Sequence, residues 1–226
     1  MKKLFDYVFR DGTLLYTENS TPGKRFYGER LFSHAKIEYR EWNPTRSKLG
    51  AAIMNGLKTM AMQQNSTILY LGASTGTTVS HVSDIARDGV VYAIEFSERV
   101  FRGLTELAAV RTNVVPIYAD ARKPETYFWV ELCDVVFVDI SQSDEVEIAI
   151  RNAAMFLRPN GTLMIAVKSQ SIDVTKDPKR VYAEATKKLK EAGFTVSELV
   201  DLEPYEKKHA MIVATKNKSE FSTQFD

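Results

Sequence analysis

The chain has 226 residues, of which 44% are hydrophobic, and a formal net charge of +1. That length accommodates one α/β domain with a small extra module, and the apolar content excludes global disorder. A single cysteine, Cys133, excludes an internal disulfide, and no apolar run is long enough for a membrane span, so a soluble cytoplasmic protein is expected.

Aromatic and polar residues alternate from Leu4 to Phe9 and again from Thr13 to Thr17. Asp11-Gly12 between them predicts a hairpin. Thr21-Pro22-Gly23-Lys24 is a second turn, and Ile37 to Trp42 a further strand. Residues 1–42 therefore read as a small β module, too short to be very stable alone, that packs on the rest of the chain. Residues 1–48 carry ten Lys/Arg against six Asp/Glu, with Lys24, Arg25, Arg30, Lys36, Arg40, Arg46 and Lys48 close together. Such a stretch is a solvated face or a surface for a polyanion, and composition does not choose between them.

From residue 43 to 217 the pattern alternates between helix and strand. Ser47 is a cap for a helix through Leu49, Ala51, Ala52, Ile53 and Leu57. Apolar runs predict strands at 68–72, 90–95, 114–117, 134–139 and 162–167. Helices are expected from about Thr77, from Glu98 behind a Ser97 cap, and through Val146, Ile150 and Phe156. Asp177-Pro178 caps a further helix to about Ala192. Thr195–Leu202 and His209–Thr215 flank Pro204 as an antiparallel pair, and the polar stretch 218–226 is expected to fray. This alternation predicts an α/β, Rossmann-like fold with helices on both faces of a mostly parallel seven-stranded sheet. The closing hairpin adds one antiparallel strand.

The stretch Ile68 to Val82 organises the whole. Four apolar residues end at Gly72, Ala73 and Ser74 follow, and Gly76 opens a helix rich in threonine. Glycines let a backbone approach a ligand, and a helix N-terminus after such a strand is where an α/β sheet binds a nucleotide-like cofactor. The glycines fall as Gly-x-x-x-Gly, with Ser74 where a dinucleotide site has its second glycine and no P-loop lysine behind. An adenosine cofactor without phosphates fits that spacing, and S-adenosylmethionine is the common one.

Each later strand also ends on a polar residue: Glu95, Asp120, Asp139 and Lys168. Glu95 lies about 20 residues beyond the glycine turn, where an acid accepts hydrogen bonds from a ribose diol. Asp120 with Ala121 could hold the adenine edge. Asp139 and Lys168 end adjacent central strands and share one cleft, either as a proton-handling pair or as a structural salt bridge.

Several segments resemble fibrillarin, the 2′-O-methyltransferase of C/D box guide ribonucleoproteins. They are Tyr39-Arg40-Glu41-Trp42-Asn43-Pro44-Thr45-Arg46-Ser47-Lys48-Leu49, Tyr70 to His81, Val136-Phe137-Val138-Asp139-Ile140, Ala166-Val167-Lys168-Ser169 and Tyr205-Glu206-Lys207-Lys208-His209-Ala210. The resemblance runs from about Tyr27 to Lys216. It implies a catalytic tetrad of Lys48, Asp139, Lys168 and His209. It also implies cofactor contacts at Thr77, Thr78, Glu95, Phe96, Asp120, Ala121 and Asp139 to Gln142, beside Gly72 and Ala73 of the turn. Ser141 stands where the family commonly has alanine, and Lys208 where it often has aspartate. The partners implied are a C/D box guide RNA with its target rRNA or tRNA, a scaffold protein, and a kink-turn binding protein of ribosomal type. No metal is implied. The absence of the eukaryotic Gly/Arg-rich extension matches the shorter archaeal form, with a cytoplasmic rather than nucleolar site.

A ribose 2′-hydroxyl is a poor nucleophile until its proton is removed or polarised. Two neighbouring ammonium groups favour a neutral amine on one of them, and Asp139 either orients that lysine or takes the proton itself. Base or protein methylation on the same fold, and a binding role without turnover, are the competing readings. The run Asp139-Ile140-Ser141-Gln142 departs from the Asn/Asp-Pro-Pro-aromatic motif of base methyltransferases. The intact Lys/Asp/Lys set argues against a pure binder.

Overall fold

The computed structural model describes residues 1–217, so the tail expected at 218–226 lies outside the described residues. Strands β1 (Lys2–Phe5), β2 (Val8–Asp11), β3 (Leu14–Glu18), β4 (Leu31–His34) and β5 (Ile37–Glu41) form an antiparallel sheet in the order β1-β2-β3-β5-β4. Asp11 pairs with Leu14, so Gly12, at φ 58°, opens the two-residue turn expected there. The run from Leu4 to Phe9 is not one strand. It breaks at Asp6-Tyr7, where Tyr7 takes φ 60°, and folds back as a second hairpin. β4 carried no strand signal either: its turn to β5 uses Ala35 and Lys36, both left-handed, in place of the usual glycine or asparagine.

After a 3₁₀ turn at Pro44–Arg46 come α1 (Lys48–Met54), β6 (Thr67–Leu71), α2 (Thr77–Ile85), β7 (Val90–Glu95), α3 (Glu98–Ala108) and β8 (Val114–Tyr118). The second half holds β9 (Cys133–Val138), α4 (Glu145–Phe156), β10 (Leu157–Lys168), α5 (Ser169–Ile172), α6 (Pro178–Glu191), β11 (Phe194–Asp201) and β12 (His209–Lys216). The seven strands run in the order β11-β12-β10-β9-β6-β7-β8, and only β12 is antiparallel to its neighbours. Every residue of β6 is buried, as a strand covered on both faces requires. Ile68 and Tyr70 face the core shared with α1, α2 and the small sheet, while Leu69 and Leu71 face the core shared with α4 and α6. Among the described residues no helix is long and apolar enough to cross a membrane.

The caps hold with one exception. Ser47 accepts the Gly50 N–H and Asp177 that of Lys179, but Ser97 makes no side-chain cap bond; Glu95 accepts the Ser97 N–H instead. α1 stops at Met54, short of Leu57, because Gly56 turns the chain at φ 92°. Cys133 is buried, and burial pushes its thiol up to about 12, as befits a small core residue.

A buried polar cluster joins the small sheet to α2. Arg40, fully buried, pairs with Glu29 and with Asp84 at 2.7 Å each. Asp84 also takes Arg111 at 2.6 Å, the Thr17 hydroxyl at 2.7 Å, and both the N–H and hydroxyl of Ser20. His81 stacks on Trp42 at 4.7 Å between the hydroxyls of Thr17 and Tyr27, and burial with two nearby guanidinium groups keeps its ring neutral. Arg40 thus leaves the basic surface read from the N-terminal stretch and becomes a joint between the two sheets.

Candidate active site at the carboxyl ends of the strands

The chain builds β6, β7 and β8 outward in one direction, then returns to place β9 on the other side of β6. At such a reversal the loops leave in opposite directions and open a crevice. Here the crevice lies between Gly72, after β6, and Asp139, after β9. The Asp139 N–H donates to the Leu71 carbonyl at 2.9 Å. Gly72 has φ 84°, and a Cβ there would stand 2.4 Å from the Asp139 carbonyl oxygen, so only glycine lets the two loops meet. Glu95 braces the turn: one carboxylate oxygen accepts the Ser74 N–H at 2.8 Å, the other that of Ser97 at 2.7 Å.

A cavity of about 320 Å³ opens at this crevice. Gly72, Glu95, Phe96, Asp120, Ala121, Asp139 and Gln142 line it, together with Ser74, Ile94, Val100, Ile140, Ser141 and Ile148. Ala73, Thr77 and Thr78 are not among its walls. Ala73 is buried, Thr77 opens α2, and the Thr78 hydroxyl is turned to Ser47 at 3.0 Å. Three carboxylates, Glu95, Asp120 and Asp139, and an apolar wall suit a nucleoside with a free diol and repel a phosphate. Among the described residues the one cation on the wall, Arg122, is committed to Gln142 and Asp144.

Of the four residues expected to form a tetrad, Lys48, Asp139 and Lys168 meet directly beside this cavity. Lys168 Nζ lies 2.8 Å and Lys48 Nζ 3.4 Å from the same oxygen, Asp139 Oδ1. Lys168 also donates to the Ile140 carbonyl, and Lys48 reaches Glu206 at 3.9 Å. Lys168 and His209 are opposite each other on β10 and β12. The Ser169 N–H donates to Lys208, so by alternation this is a pair without ladder bonds, the kind that brings side chains closest. His209 Nδ1 lies 2.6 Å from the Lys207 carbonyl, which fixes its proton there. Burial lowers the pKa of His209, and the Lys48 and Lys168 cations add to that, so the ring is neutral with Nε2 bare. Among the described residues no group of His, Cys, Asp and Glu is placed to hold a metal.

Sequence reading missed Glu145, the first residue of α4. Its side chain is fully buried, Oε1 accepts the Lys168 N–H at 2.8 Å, and Oε2 has no hydrogen-bond partner. An acid at a helix start looks like an ordinary complement to the helix dipole, which hides such a role. Burial pushes this carboxyl up to about 8 from the usual 4.5. Between those values the unfolded chain binds fewer protons than the folded one, so stability falls as pH rises. Glu145→Gln removes that slope. The wild type should lose on the order of 3–5 kcal/mol relative to the variant between about pH 5 and pH 8. Denaturant midpoints at both values check this, and parallel changes in the two proteins would contradict it.

Residues 1–218 match the Fibrillarin family model. The chain is 53% identical to the fibrillarin-like rRNA/tRNA 2′-O-methyltransferase of Sulfolobus acidocaldarius over 93% of its own length and 92% of that protein. It superposes on Aeropyrum pernix fibrillarin, solved with natively bound S-adenosyl-L-methionine, with a TM-score of 0.83 and 43% identity over 89% and 88% of the two chains. The fibrillarin of a fibrillarin–Nop5p complex superposes at 0.88 with 38% identity, over 95% of this chain and all of that one. A family match over nearly the whole chain, with this fold beneath it, makes the chain a member of the fibrillarin family.

Proposed function

We propose that this chain is the S-adenosylmethionine-dependent catalyst of ribose 2′-O-methylation in rRNA and tRNA. The observation that carries the reading is the meeting of Lys48 and Lys168 on one oxygen of Asp139, a residue that also walls the cofactor cavity. When bound, S-adenosylmethionine supplies an electrophilic methyl group on its sulfonium. The protein's share is to hold that group, place a hydroxyl in line with it and receive the hydroxyl proton. Glu95 takes the ribose diol with the lone pairs not used by Ser74 and Ser97, and Asp120 and Ala121 border the base. The proton is received within the Lys–Asp–Lys group, whose two cations stabilise a developing alkoxide. His209, neutral, stands opposite Lys168 across β10 and β12, beside this group.

The acceptor is RNA brought by partners. A protein scaffold of the kind seen with the Nop5p-bound relative would carry this chain, and a C/D box guide RNA with a kink-turn binding protein would present the target. Delegated recognition agrees with a net charge of only +1 and with the burial of Arg40 in the joint between sheets. The test is transfer of labelled methyl to a guided RNA by the assembled complex and by the chain alone. Transfer by the complex at the guided nucleotide is expected. Equal transfer by the chain alone, or none by the complex, would overturn the reading.

Glu95→Ala should weaken S-adenosylmethionine binding by about 1–3 kcal/mol through lost charge-assisted hydrogen bonds. Titration calorimetry on the folded variant checks it, and unchanged affinity would remove Glu95 from the ribose site.

A further inference from the structure

Glu145 is the buried acid that the proposed chemistry leaves unused. Its carboxyl accepts the backbone N–H of Lys168 at 2.8 Å. The need for that acceptor comes from the sheet. The Ser169 N–H donates to the Lys208 carbonyl of the β12 side, so the Lys168 N–H, one position earlier, faces the opposite neighbour, β9. β9 has already ended: its last paired residue, Val138, stands opposite Ile165. An unpaired N–H buried here would cost about as much as a lost hydrogen bond, and the carboxyl of Glu145 takes the place of the missing strand.

The other end of Lys168 is held by the same stretch of chain. Its ammonium meets Asp139 Oδ1 at 2.8 Å and the Ile140 carbonyl. Residues 139–145 therefore grip Lys168 at both backbone and side chain, and four of them, Asp139 to Gln142, also wall the cofactor cavity.

We propose that Glu145 is a positioning residue, fixing the end of β10 so that the Lys168 ammonium stays on Asp139 beside the cofactor cavity. This rests on the reading of Lys168 as part of the methyl-transfer group. The role belongs to a neutral hydrogen-bond acceptor, since the partnerless Oε2 is buried and burial raises the pKa of the acid. Glutamine supplies the same acceptor and alanine does not.

The test compares Glu145→Gln and Glu145→Ala in the full chain, at a temperature where both are folded. It reads amide exchange at Lys168 by NMR, cofactor affinity by calorimetry, and single-turnover methyl transfer in the assembled guide complex. Glu145→Ala should speed Lys168 exchange at least about tenfold and slow transfer about ten- to hundredfold, the usual loss when a catalytic group is misplaced. Cofactor affinity should stay within about threefold, and Glu145→Gln should restore exchange and rate to within the same factor. Wild-type exchange and rate in Glu145→Ala would overturn the proposal, as would equal impairment of the two variants. If the wild-type complex transfers no methyl, the proposed function fails, and Lys168 exchange alone still decides whether Glu145 holds that residue.

Discussion

Lys168→Ala is expected to lower guided methyl transfer by roughly 10²–10⁴, the range for removing a group that handles a proton in the transition state. Its ammonium is 2.8 Å from Asp139 Oδ1, whereas Lys48 lies at 3.4 Å from that oxygen and is also drawn toward Glu206. Lys168 does not line the cofactor cavity, so S-adenosylmethionine affinity should change little. The rival view makes Lys168–Asp139 a structural salt bridge, whose loss would lower the melting temperature and leave chemistry alone. Melting temperature, cofactor affinity and single-turnover rate on one preparation separate the two. A folded, cofactor-binding Lys168→Ala protein that methylates at the wild-type rate would remove the residue from the mechanism.

A large stability effect is expected at the joint between the sheets. Arg40, Arg111, Glu29 and Asp84 are all buried, and two positive charges balance two negative ones. Phe26 lies against both guanidinium groups, at 4.6 and 4.8 Å, so neither has water to fall back on. Asp84→Ala takes the shared anion from both arginines, removes the acceptor of the Ser20 N–H and hydroxyl, and leaves the Thr17 hydroxyl with His81 alone. Breaking a buried pair from one side costs about 3–5 kcal/mol, because an uncompensated charge stays inside. Equilibrium unfolding in urea should show that loss in Asp84→Ala. Replacing an exposed pair, such as Lys187–Glu191 on α6, should cost less than about 1 kcal/mol. Similar small losses at both places would mean that water reaches the joint.

The larger sheet was legible because its strands are buried on both faces and read as continuous apolar runs, as from Ile68 to Leu71 and Val135 to Val138. The Asp139–Lys168 pair was legible for the same reason, since each residue is the first polar one after such a run. What was hidden depends on pairing across distance or on unusual backbone. Tyr7, Ala35 and Lys36 adopt left-handed conformations without the residues that signal them, so a hairpin and β4 went unread. Arg40 looked like one more surface cation, and only its contacts with Glu29 and Asp84 show otherwise. Glu145 resembled any acid at the start of a helix, because nothing in local spacing says that β9 stops short of Lys168.

A methyl acceptor that is a ribose 2′-oxygen beside Asp139 and Lys168 must be lost when that oxygen is removed. The most direct measurement uses the assembled complex and two target RNAs that differ only by a 2′-deoxy sugar at the guided nucleotide. With the ribose target, labelled methyl should appear at that nucleotide; with the deoxy target, transfer should fall to background while target binding is unchanged. Methyl transfer of equal extent to the deoxy target would place the acceptor on a base and contradict the account.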